Sequence, residues 1–217
     1  MNGEKMKIMF IYILLVIAVC SVQAQQFKGG TVKYIAKSEG ETIRLNLFIN
    51  GSNQKLDQTN SKGQTGKSFL FGAGIGVVLY PPEQIYTEYS DLKDTLINRK
   101  PPLFGNKEDE VKFIKTEKRK NILGLECREW IIKNQFSTVE LWVNSNLQVD
   151  YRIIEAMPEY TIDWKKYVIE EKAFPVAINI KDENGETVYS FEAVEFSNAL
   201  PDISLFAIPQ EYTKSKN

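Results

Sequence analysis

A mainly β chain, built as an antiparallel sheet that curls toward a barrel or sandwich with one or two short helices, follows from three observations. Apolar and polar residues alternate over several short runs, turn-forming residues recur between those runs at hairpin spacing, and helical periodicity is confined to two short stretches. No period of 20 to 50 residues recurs, so a repeat array is not expected.

The first 24 residues read as an address and not as part of the fold. Met1 to Lys7 carries two lysines, and Ile8 to Val19 is an apolar run of 12 residues, short for a membrane span and suited to a signal-peptide core. Val22-Gln23-Ala24 then places small or β-branched residues before a cut after Ala24. The rivals are an uncleaved anchor and a lipoprotein held through Cys20, but Val19 precedes that cysteine where a small residue is usual. The expected domain is a single β-rich unit over 25–217, exported to the periplasm or outer-membrane periphery of a Gram-negative cell and not transmembrane once the signal is removed. Losing Lys5, Lys7 and Glu4 leaves 25 basic against 27 acidic side chains, a net charge of −2.

The strands follow in order. Thr31 to Lys37 alternates, and Thr42 to Ile49 alternates more sharply, with Ile43, Leu45, Leu47 and Ile49 on one face and Arg44 and Asn46 on the other. Asn50-Gly51 suits a two-residue hairpin turn, which makes Ser52 to Gln58 the returning strand. Further strands are expected at Gly76 to Leu79, Ile85 to Tyr89, Val111 to Thr116, Leu123 to Ile132, Thr138 to Val143 and Val149 to Ile154. A second hairpin runs from Val176 to Ile180 through Asp182-Glu183-Asn184-Gly185 into Thr187 to Phe196. Helix is expected only at Asp91 to Asn98 and Asp163 to Lys172, and Leu92 to Glu110 reads as a loop or lid over one edge.

Composition narrows the chemistry. The 217 residues contain no histidine, so imidazole-based nucleophile activation and His-ligated metal are excluded, and no metal or cofactor is expected. Near-neutral charge gives no reason to expect nucleic acid. With Cys20 removed, Cys127 has no disulfide partner and reads as a buried structural thiol. Several stretches imitate known sites. Gly63 to Ser68 ends like a phosphate loop but has Ser61 where glycine is required, and reads as a polar turn. Gly72 to Gly76 lacks the helix and acidic residue of a dinucleotide fold and reads as a flexible strand start or β-bulge. Asp182 to Gly185 brings glycine too early for a calcium loop. The acidic clusters Glu108-Asp109-Glu110 and Glu170-Glu171 read as solvated surface.

One constellation carries a resemblance. Ile122 to Trp130, containing Gly124-Leu125-Glu126-Cys127, then Val139-Glu140-Leu141-Trp142-Val143, then Phe206-Ala207-Ile208-Pro209-Gln210-Glu211-Tyr212, resembles domain-of-unknown-function family 4412, a secreted bacterial family of Bacteroidota type related to the LolA-like periplasmic lipoprotein carriers. The resemblance covers roughly Phe27 to Tyr212 and implies an incomplete, strongly curved barrel with short helices closing one mouth. It brings no catalytic residue. Strand parity puts Leu123, Leu125, Cys127 and Ile131 on one face, Glu126, Arg128 and Trp130 on the other, and Val139, Leu141 and Val143 together. Leu45, Leu47, Leu125, Cys127, Val139, Leu141 and Val143 are therefore the candidates for lining an interior, either as filled core or as a ligand cavity. The expectation is a non-enzymatic binding or carrier module for a lipid or lipoprotein acyl chain. The alternative is an envelope accessory protein that docks to another protein through its edge strands.

Overall fold

Alternation in the first strands is converted directly into one buried and one open face. In the computed structural model, which describes residues 27–38, 40–72, 75–89, 111–147, 149–157 and 164–215, β1 (Gly29–Ser38) buries Val32, Tyr34 and Ala36, and β2 (Glu41–Asn50) buries Leu45, Leu47 and Ile49. The chain then folds back through β3 (Asn53–Thr59), β4 (Thr65–Gly72), β5 (Ile75–Tyr80) and β6 (Ile85–Tyr89), each antiparallel to the one before. A second meander comprises β7 (Lys112–Ile122), β8 (Leu125–Lys133), β9 (Ser137–Asn144), β10 (Phe174–Asp182) and β11 (Thr187–Ser197). Antiparallel pairing of β1 with β11 joins the two meanders in the middle of one long curved sheet. That sheet does not close: β7 forms one edge, and β12 (Thr213–Lys214), parallel to β6, forms the other.

Two short helices lie between β9 and β10. α1 (Tyr151–Ala156) is capped by Asp150, whose carboxylate accepts the Arg152 N–H at 3.0 Å, and α2 (Trp164–Glu170) follows. Ile153, Ile154, Ala156, Trp164 and Val168 are buried in the same apolar cluster as the inward residues of β1, β2, β9 and β10. The core therefore sits between the concave face of the sheet and these helices.

Several expectations need correction. Val149 to Ile154 is not a strand: Asp150 starts a helix there, and the β-branched pair Ile153 and Ile154 serves its buried side. The first hairpin turns at Gly51-Ser52, one residue later than expected, because Asn50 pairs with Asn53 and only Gly51 takes positive φ (+60°). Asn50 instead donates its side-chain N–H to the Pro201 carbonyl at 3.0 Å. Leu123 belongs to a turn with Gly124, both at positive φ (+54° and +84°), so β8 begins only at Leu125. β4 is not among the strands that alternation predicts. Its Ser68, Phe69, Leu70 and Phe71 are all buried, because both faces are covered and alternation is lost. Gly63 does lie in the polar turn leading to that strand, and Gly72 pairs with Ile75 where β4 returns as β5. The signal segment, the helix expected at Asp91 to Asn98 and the cluster Glu108-Asp109-Glu110 lie outside the described residues.

Candidate functional site

The concave face gathers most of the interior candidates. Leu45 and Leu47 on β2, Cys127 on β8, and Val139, Leu141 and Val143 on β9 are fully buried members of one cluster, while Leu125 is half-buried and packs against it. Cross-strand register explains the convergence: Leu45 lies opposite Tyr34, Leu47 opposite Val32 and Leu56, and Leu141 between Trp130 and Ile178. Tyr34 stacks on Phe191 with ring centroids 4.4 Å apart, and its hydroxyl donates to the Pro175 carbonyl at 3.2 Å.

Strand parity breaks within β8. Trp130 and Ile132 are buried in the cluster with Cys127, whereas Ile131 is half-buried opposite Glu140. The inward pattern slips between Cys127 and Trp130, where the β7 register also shifts, carrying Thr116 to Lys118 past the single residue Glu129. Glu129 is thereby buried. Its carboxylate accepts the Thr116 hydroxyl at 3.0 Å and the Lys118 ammonium at 3.2 Å. Nothing in the local sequence marks this carboxylate as buried, because its burial arises from the bulge.

The helices are tied over the apolar face by polar side chains at the rim. The Gln54 side-chain oxygen accepts the Asp150 N–H at 2.9 Å, and the Gln58 amide donates to the Ala156 carbonyl at 3.1 Å. Lys165 donates to the Glu155 carbonyl at 2.9 Å, and the Arg152 guanidinium lies 5.3 Å from the centre of the Phe71 ring. Burial by itself would raise the Asp150 carboxyl, but its side-chain and backbone hydrogen bonds with Arg152 hold it below the usual carboxylate value. An open depression of about 250 Å³ with a mixed lining lies elsewhere, at the end of the β1–β2 hairpin beside the start of β11, lined by residues that include Lys37, Glu41, Val188 and Tyr189.

The interior of the concave face is a packed apolar cluster. Burial pushes the Cys127 thiol up to about 11, and the Ile122 N–H and the Lys120 charge oppose this only in part. Among the described residues no cluster of metal-ligating side chains occurs. Folded protein at pH 8 is therefore expected to react with a thiol reagent slowly, at a rate independent of reagent concentration, and completely once denatured in urea. A fast second-order reaction in the native state would show an accessible thiolate instead. Because the folded thiol titrates above its unfolded value, its contribution to stability is intact below about pH 9 and is lost as pH rises toward about 11.

The C-terminal motif has a structural use the sequence does not disclose. Residues 198–212 cross the convex face, where Ile208 and Tyr212 pack on Leu70, Val77, Leu79 and Tyr86, and β12 then pairs with β6. No helix among the described residues is long and apolar enough to cross a membrane.

Residues 27–212 match the family model described as Domain of unknown function (DUF4412). No curated protein matches the chain. Among solved structures it is similar to an uncharacterized conserved protein from Thermus thermophilus, with TM-score 0.52 and 8% identity over 94% of this chain and 99% of the other. It is also similar to MucB in the MucA/MucB complex of Pseudomonas aeruginosa, with TM-score 0.47 and 10% identity, covering 84% of this chain and 56% of the other. A putative outer membrane lipoprotein-sorting protein domain from Vibrio parahaemolyticus gives TM-score 0.33 and 10% identity, over 89% and 95% respectively. Of the three, the Thermus protein alone exceeds a TM-score of 0.5, and at 8% identity the likeness concerns the fold.

Proposed function

Because the chain belongs to the family described as Domain of unknown function (DUF4412), we propose a function from its concave face: a non-enzymatic binding or carrier module of the bacterial envelope that shelters an apolar ligand, a lipid or lipoprotein acyl chain. The ligand would lie between the sheet and helices α1 and α2, against Leu45, Leu47, Leu125, Cys127, Val139, Leu141 and Val143. The observation that carries this reading is the contrast between the face and its cover. The face is largely apolar across both meanders, whereas among the described residues the cover includes two helices of only 6 and 7 residues, tied by the buried Gln54 and by Gln58. Displacing so small a cover opens apolar surface without breaking a strand pair. Export rests on the sequence of the first 24 residues.

The test is uptake of a fluorescent fatty acid by the mature chain, together with native mass spectrometry of gently purified protein. Saturable uptake at one site is expected, faster in Gln58→Ala, which loosens the helix tie. Native spectra free of lipid, with no uptake by either protein, would remove the proposal.

A further inference from the structure

The convex face carries a built seat for an extended segment. Leu70, Val77, Leu79 and Tyr86 form an apolar patch separate from the main core, and Ile208 and Tyr212 fill it. Beside the patch, the β6 edge takes Thr213 and Lys214 in parallel register, with the Thr213 N–H donating to the Gln84 carbonyl at 3.0 Å and the Ser215 N–H to the Tyr86 carbonyl at 2.7 Å. Lys214 pairs with Glu88. Aliphatic anchor, aromatic anchor, ladder and ion pair thus recognise one sequence, and that sequence is the chain's own.

The connector that delivers it joins the sheet through side-chain contacts, among them the Asn50 amide donating to the Pro201 carbonyl at 3.0 Å. From β11 to β12 the path crosses seven strand spacings, about 34 Å, and residues 198–212 can span about 50 Å when extended. Those residues make no ladder pair, and their only regular structure is one 3-10 turn (Ile203–Phe206) capped by Asp202. They also expose apolar surface outward: Leu200 is 56%, Ile203 60% and Leu205 40% accessible. Three such side chains within six residues are an unusual concentration on a strap already serving as cover.

We propose that the convex seat exchanges this segment between two copies of the chain, so that the Ile208 and Tyr212 anchors and β12 of each copy occupy the seat of the other. A second copy's terminal segment is the one partner whose fit to the seat is visible in the structure. Exchange preserves the contacts that Ile208, Tyr212 and β12 make in cis and gives up those of the connector, such as Asn50 with Pro201, so its cost is set by the connector, which is long enough to lead away from the sheet. Two connectors crossing between copies would also bring Leu200, Ile203 and Leu205 of one against those of the other. The proposal concerns the convex face and is independent of the apolar ligand proposed for the concave one.

The test uses the exposed Glu88–Lys214 pair as a reporter. Glu88→Cys with Lys214→Cys replaces only a surface ion pair, so the fold is retained, and oxidised glutathione supplies the oxidant. A disulfide within one chain gives a monomer on a denaturing gel, and a disulfide across exchanged segments gives a covalent dimer. After refolding at increasing protein concentration, the dimer fraction is expected to rise with concentration, and light scattering of the unaltered chain is expected to show twice the monomer mass. Ile208→Asp combined with Tyr212→Asp is expected to abolish that dimer. Monomer mass for the unaltered chain over the whole range overturns the proposal, as does dimer formation that survives the Ile208 and Tyr212 substitutions.

Discussion

Gly30→Val is expected to cost the chain most or all of its stability, about 4 kcal/mol or more, read as a collapse of the urea midpoint or as failure to fold. β1 is held between β2 and β11, and at its first residues the neighbouring backbones come closer than a side chain allows. A Cβ on Gly30 would stand 2.1 Å from the Ser197 carbonyl oxygen, and one on Gly29 would stand 2.2 Å from that of Ile49. The atoms met are backbone on flanking strands, so no rotamer change relieves the clash. Gly29 also has φ +153°, outside the range side chains favour. Gly30→Ala should fail almost as badly, whereas Gly40→Ala, with nothing within 4 Å of its added Cβ, should cost only the strain of its positive φ, about 1 kcal/mol. Equal midpoints for Gly30→Val and the unaltered chain would show that the strand starts elsewhere.

Leu141→Ala is the second large effect, with an expected loss of about 3 kcal/mol by urea titration. Leu141 is fully buried, flanked by Trp130 and Ile178 on the adjoining strands. Because its neighbours belong to paired strands, they cannot collapse into the vacated space, and the full cavity term applies. The same variant bears on the proposed ligand: added apolar volume on the concave face should strengthen fatty-acid uptake even as stability falls. Loss of stability without any change in uptake would place the ligand away from Leu141.

The elements most legible in the sequence are those with one open face. β2 and β9 alternate because water lies on one side of each, and spacing alone identifies their inward residues. β4 is hidden for the opposite reason. Phe69 and Phe71 face the core while Leu70 lies under the strap, and a segment covered on both sides carries no period of two. α1 reads as a strand because Ile153 and Ile154 favour strands by propensity, whereas the Asp150 cap and burial against the sheet decide the local structure. Of the seven interior candidates, parity places Leu45, Leu47, Cys127, Val139, Leu141 and Val143 in the buried cluster, with Leu125 packed against it. Parity from Cys127 onward misassigns Trp130, because a bulge opposite Glu129 cannot be read from one strand alone. The rim glutamines Gln54 and Gln58 escape sequence reading for a related reason: their partners are backbone groups about 100 residues away.

The seam between β1 and β11 also sets an order of events during folding. Each meander is a run of local hairpins that can form as soon as its residues are present, but the central pairing joins positions such as Lys33 and Glu195, which are 162 residues apart. Contacts of such separation form late and slowly, since the intervening chain must be gathered first. At synthesis rates of about 5–20 residues per second, β1 would wait roughly 8–30 s for β11 to appear, with one hydrogen-bonding edge exposed throughout. Gly30, whose added Cβ would meet the Ser197 carbonyl, lies on that waiting edge, so a substitution there would show first as aggregation of newly made chains and only afterwards as a lowered midpoint of whatever folded.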